Sequence, residues 1–209
     1  MKHRNTLRIL LALSLAASAC SSAPASAASN KFVVTAVTEK KVRQLPDGPL
    51  YWRLENFPIL SQAQSAAGEM SLAAEIAGKA WLFTLGPQGG STPGGSKVAE
   101  VGPVPAFSAP EYLLRINTGT GGFAATTPVH MHPGSEAFYV LTGRLTQKTP
   151  LGIVNVTAGH ALPGRRPGVP MQIVSTGLDD LLVLVMFVVD ATAPFSSPAS
   201  FQQANATIR

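Results

Sequence analysis

From Leu181 to Val189 the chain carries no polar side chain. A strand buried on both faces reads this way, and the run is too short to cross a bilayer as a helix. Shorter β-branched or apolar stretches stand before it: Phe32–Thr38, Glu111–Ile116 and Gly152–Thr157 are each predicted to be strands. Leu72–Ala77 and Ala80–Leu85 flank Gly78-Lys79, the arrangement of a hairpin. Glycine and proline punctuate the rest. Gly86–Ser96 reads as a flexible surface loop, Pro103, Pro105 and Pro110 keep the following segment irregular, Gly119–Gly122 reads as a turn, and Gly143 turns the chain into Arg144–Gln147. Leu60–Ala67 alone has the Ala/Gln content of a short helix, stopped by Gly68. Many short strands between Gly/Pro turns, with no strong amphipathic helix, predict an all-β barrel or sandwich.

The N-terminus has a different character. Lys2, Arg4 and Arg8 precede the apolar run Ile9–Ala17, and small residues follow, the layout of a secretory leader. Cleavage after Ala25-Ser26-Ala27 releases a soluble protein to the periplasm or medium; the competing reading is lipidation at Cys20, after Ala17-Ser18-Ala19. Either route leaves the mature domain without a free thiol, because Cys20 is the single cysteine. The expected division is a leader over residues 1–27, an N-terminal arm with a strand and a short helix over 28–71, a barrel over 72–190 and a tail over 191–209. The leader carries three bases and no acid, so more than half of the +5 net charge leaves with it. What remains, in scattered pairs such as Lys40-Lys41 and Arg165-Arg166, is not a nucleic-acid footprint. The glycines of Gly86–Ser96 lack the Gly-Lys-Ser/Thr that would reach phosphates and Mg²⁺.

The chemistry is concentrated near the middle. Of four histidines, His130, His132 and His160 lie within one short region. Side chains at i and i+2 of a strand share a face, so His130 and His132 project together. Pro133-Gly134 then supplies turn chemistry, and Glu136, Phe138 and Val140 share a face of the next strand. Two imidazoles and a carboxylate converging from neighbouring strands suit a first-row divalent metal.

His-x-His, three residues, Glu136, six residues and Gly143 resemble the first motif of the cupins, with Gly121 or Gly122 as its leading glycine. Gly159–Gly177 resembles the second motif imperfectly. Gly168-Val169-Pro170-Met171 aligns with Gly-x-x-His, so Met171 stands where the family has a fourth ligand, and Ser175 where it has Asn. The resemblance implies a cupin-type antiparallel β-barrel (double-stranded β-helix, or jelly roll) with His130, His132 and Glu136 as metal ligands. Fe, Mn, Ni, Cu and Zn all remain open as the metal, and so does occupancy. Met171 and His160 are candidates for the fourth position, and Phe138, Val140 and Met171 for the lining of a small-molecule pocket. Cupins often associate through exchanged N-terminal strands, so Phe32–Thr38 implies a homodimer. Three functions stay open: a metal-dependent, dioxygenase-like enzyme acting on a small molecule, a non-catalytic module that captures a small molecule or metal, and a structural barrel with no ligand, stabilised by dimerisation alone.

Overall fold

The computed structural model describes residues 31–201; the leader, its cleavage site and Cys20 lie outside them. Strands β1 (Val33–Val42) and β2 (Leu50–Phe57) lead into a single short helix, α1 (Leu60–Ala66), then the hairpin β3 (Ser71–Ile76) and β4 (Lys79–Gly86), and β5 (Ser96–Val104). β6 (Tyr112–Gly121), β7 (His130–Met131), β8 (Gly134–Thr142), β9 (Arg144–Thr149) and β10 (Gly152–Thr157) follow. The chain continues through β11 (Ala161–Leu162), β12 (Gln172–Ser175), β13 (Leu181–Asp190) and β14 (Ser197–Pro198). The hairpin turn uses Ala77 and Gly78, both at positive φ, as a two-residue loop of this twist requires.

These strands form three layers. A five-stranded sheet in the order β1-β6-β13-β8-β11 lies in the middle, a four-stranded sheet β3-β4-β2-β5 covers one face, and the three-stranded sheet β10-β9-β12 closes a barrel on the other. β13 is the central strand of the middle layer, paired on one side with β6 and on the other with β8. Its uninterrupted apolar run follows from that position. Leu184, Met186 and Val188 pack toward the four-stranded sheet, and Val183, Val185 and Phe187 into the barrel. Period-2 alternation is lost because both faces are buried.

The structure departs from the sequence expectations at several points. The segment before residue 72 is not an arm: β2 sits between β4 and β5 in the covering sheet, and the boundary expected between residues 71 and 72 falls inside β3. Residues 72–104 belong to that covering sheet, while the barrel is built from β6 onward. β1 runs antiparallel to its own β6 along Val33–Val42, so the strand expected to exchange with a partner is held by its own sheet. The expected turn at Gly119–Gly122 is also mostly strand. β6 extends to Gly121 because β1 and β13 both pair with it there, and a Cβ at Gly119 would come within 2.9 Å of Val183 and 3.0 Å of Phe32. The loop between β4 and β5 is tied down, because the wholly buried Glu55 accepts hydrogen bonds from the Thr92 backbone N–H (2.7 Å), Thr92 Oγ1 (2.6 Å) and Arg53 Nε (3.0 Å).

Candidate metal centre

β7 is only two residues long, and its neighbours impose its extended form. On one side His130 and Met171 exchange backbone hydrogen bonds of 3.0 and 2.8 Å; on the other, β14 pairs Ser197 with Met131 and Pro198 with His130. Extended backbone through residue 132 turns both imidazoles to one side, with ring centroids 5.0 Å apart. His130 Nδ1 lies 2.9 Å from the Pro128 carbonyl, and His132 Nδ1 lies 2.6 Å from the Phe195 carbonyl. A carbonyl can only accept, so each Nδ1 carries the proton and each Nε2 keeps its lone pair. Metal-binding histidines are commonly fixed through their second nitrogen in this manner.

Glu136 comes from the inner face of β8. Pro133 makes a bend before it, but Gly134 serves for closeness more than for turning. It begins β8, and a Cβ there would meet the Val188 carbonyl oxygen at 2.1 Å and Val189 Cα at 2.4 Å. Glycine thus lets β8 press against β13 and carries Glu136 inside. The carboxylate Oε2 stands 3.7 Å from His132 Nε2 and is buried with no hydrogen-bond partner. Burial pushes the Glu136 carboxyl up to about 8. Burial, reinforced by the neighbouring His130, lowers His132 to about 4, against a smaller raising effect of its bond to Phe195. Around neutral pH both groups are therefore uncharged, and their contact is not an ion pair. One donor atom from each of His130, His132 and Glu136 falls within 4.8 Å of the others, the only such group of three metal-ligating side chains among the described residues.

The set opens into a cavity of about 390 Å³. Phe138, Ile173, Val185, Phe187 and Phe195 form much of its wall. Phe138 lines it as expected, whereas Val140 and Met171 do not. Val140 lies two residues further along β8 in the apolar barrel core, and the Met171 sulfur faces Gln147 Nε2 at 3.8 Å. His160 is exposed on the turn before β11, its Nδ1 near the Ala158 carbonyl and Thr157 Oγ1, away from the other two histidines. His160 stands outside the set, and Met171, paired with His130 on the neighbouring segment, has its sulfur against the Gln147 amide. Two residues absent from the sequence reading do contribute. Phe195 supplies the carbonyl for His132, packs edge-on against its ring at 5.0 Å and carries Arg115 over its own ring at 4.2 Å. Asn117 is buried in the wall, and its signal was the lone amide of β6, flanked by Ile116 and the half-buried Thr118.

An antiparallel barrel that carries His-x-His and Glu on adjoining inward strands, closed by the hairpin at Gly143, decides the fold. This is the barrel that the resemblance to the cupins implied. No protein-family model and no curated protein matches the sequence. Solved structures resemble the cupin-type barrel over part of its length. A cupin superfamily protein from Desulfitobacterium hafniense is 12% identical, with 37% of this chain and 68% of that one covered at a TM-score of 0.34. A DMSP lyase from Ruegeria pomeroyi is 16% identical over 43% of this chain and 44% of its own, with a TM-score of 0.37. An oxalate oxidase in complex with glycolate is 19% identical over 41% and 45%, with a TM-score of 0.35. The chain thus spans less than half the length of those two enzymes.

Proposed function

We propose that His130 Nε2, His132 Nε2 and the Glu136 carboxylate hold one divalent transition-metal ion, and that the cavity beside it takes a small molecule. The observation that carries this reading is the orphaned Glu136 Oε2. A buried carboxyl oxygen without a partner costs free energy, and here two imidazole lone pairs share its space. A cation bound there satisfies all three at once and supplies Lewis acidity toward an oxygen-bearing ligand. The chain's own residues do the rest. The Pro128 and Phe195 carbonyls hold the rings, and Phe138, Phe187 and Phe195 exclude water from the inner wall. Three protein donors leave coordination positions open to the ligand, which favours an enzyme. One observation favours the non-catalytic alternative: the lining contains no titratable side chain beyond these three. The leader read at residues 1–27 assigns the activity to the periplasm or the medium.

The test is metal analysis of protein purified without chelator, followed by calorimetric titration of stripped protein with Zn²⁺, Mn²⁺, Ni²⁺ and Fe²⁺. One ion per chain is expected for the wild type and none for His132→Ala. Equal binding by the two proteins refutes the site. Oxygen-uptake assays on small phenols and dicarbonyl compounds then separate turnover from capture.

A further inference from the structure

Asn117 lies on the inner face of β6, with Val185 opposite it on β13 and Phe138 beyond on β8. It is 3% exposed, it lines the cavity, and its Oδ1 has no hydrogen-bond partner. An amide placed against Phe138, Ile173, Val185 and Phe187 loses its hydration and gains nothing in the free protein. Glu136 sits two strands away and one rung along, because it pairs with Phe187. Strand spacing and rise place the two backbones about 12 Å apart. The metal set and the amide therefore mark two separate points on one apolar wall.

The remaining lining defines what fits between them. It contains no Lys and no Arg. Arg115, on the same inward row as Asn117, is stacked on Phe195 and donates from Nε to Glu39 at 2.6 Å. The hydroxyls of Thr127, Ser196 and Ser197 are half-buried or exposed, and Thr127 Oγ1 already accepts from the Ile173 backbone N–H. Asn117 is thus the buried hydrogen-bonding group of the cavity outside the metal set. We propose that Asn117 is a specificity-determining residue that selects an uncharged, mainly apolar small molecule by one hydrogen bond that the ligand's hydroxyl or N–H donates to Asn117 Oδ1. An organic anion finds no cationic side chain to offset its desolvation at that end of the cavity. The inference rests on the cavity being a ligand site, as proposed above, and it does not require the metal to be bound.

The experiment uses three probes of similar size: 1-phenylethanol, ethylbenzene and benzoate. Each is titrated into wild type and Asn117→Leu, both chelator-treated and Zn²⁺-loaded, with thermal unfolding measured in parallel. In chelator-treated wild type, 1-phenylethanol should bind about tenfold more tightly than ethylbenzene, the worth of one buried hydrogen bond donated to Asn117 Oδ1, and more tightly than benzoate. Asn117→Leu should erase the preference over ethylbenzene and raise the unfolding temperature of the free protein, because it removes an unsatisfied buried amide. Zn²⁺ affinity should agree within about twofold between the two proteins, since Asn117 contributes no ligand. An unchanged preference in Asn117→Leu, tighter binding of benzoate, no binding of either neutral probe, or a fall of several degrees in the variant's unfolding temperature would each overturn the assignment. Failure of Zn²⁺ to bind wild type would instead strike the metal reading alone.

Discussion

The two faces of the five-stranded sheet are built from the same strands to opposite ends. Outward, Leu114, Ile116, Tyr139, Leu184, Met186 and Val188 meet Trp52, Trp81, Phe83 and Leu85 of the covering sheet. Two polar groups there are paired: Trp81 Nε1 donates to the Ile76 carbonyl at 3.1 Å, and Tyr112 Oη accepts from the Ala109 N–H at 3.1 Å; Ser135 Oγ, opposite Val188, is buried without a partner. Inward, one residue away along each strand, Asn117 and Glu136 leave oxygen atoms buried and unpaired. The outer face is mainly apolar packing, and the inner face holds the two unpaired oxygens that border the cavity. Strand parity alone separates the two.

The largest expected effect lies on the outer face. Phe83→Ala should cost about 3–5 kcal/mol and lower the unfolding temperature by roughly 10 °C, with metal affinity unchanged once folded. Metal affinity that fell with it would show that the two faces are not independent. On the inner face, Glu136→Gln should weaken divalent-metal binding by about 100-fold or more, measured by competition with a chromogenic chelator. It should raise the stability of the metal-free protein at pH 7, because the wild-type carboxyl must take up a proton on folding that the neutral amide does not need.

A smaller effect sharpens the same contrast through pH. Glu136 is raised from 4.5 to about 8, so the metal-free folded chain holds a proton that the unfolded chain has lost, and stability falls as pH rises through this interval. His132 is lowered from 6.5 to about 4, so its contribution rises with pH across that range and largely offsets Glu136 below 6.5. Between pH 6.5 and 8 Glu136 acts alone, and a loss of about 2 kcal/mol is expected by chemical denaturation. Saturating Zn²⁺ or Glu136→Gln should remove that slope. A slope that persists in Glu136→Gln belongs to another group. The smallest effect is expected from Met171→Leu and His160→Ala, each changing metal affinity by less than about twofold in calorimetric titration, since the Met171 sulfur lies against the Gln147 amide and His160 stands outside the set.

The metal set was legible because it is local: i, i+2 parity and a close-packed glycine bring His130, His132 and Glu136 together within seven residues of chain. β13 was legible for a related reason, as burial on both faces writes itself into an unbroken apolar run. What was missed depends on pairing between distant segments. β2 carries Arg53, Glu55 and Asn56, which mask its alternation; Glu55 is nevertheless wholly buried, because Thr92 and Arg53 satisfy it. The strand reading of Glu111–Ile116 stopped one residue short of Asn117, since the glycines beyond it suggested a turn until β1 and β13 were seen to flank them. Met171 aligned with a ligand position, yet its sulfur faces Gln147, a contact that no spacing within the motif encodes.

The Phe195 carbonyl gives the centre a place in time. His132 is made 63 residues before the group that holds its ring. A nascent chain stopped before Phe195 can have both histidines and Glu136 and still leave one imidazole free to rotate. Completion of the cluster therefore waits on the segment that carries Phe195, and a protease that clips the chain just ahead of Phe195 would loosen His132 without touching His130, His132 or Glu136.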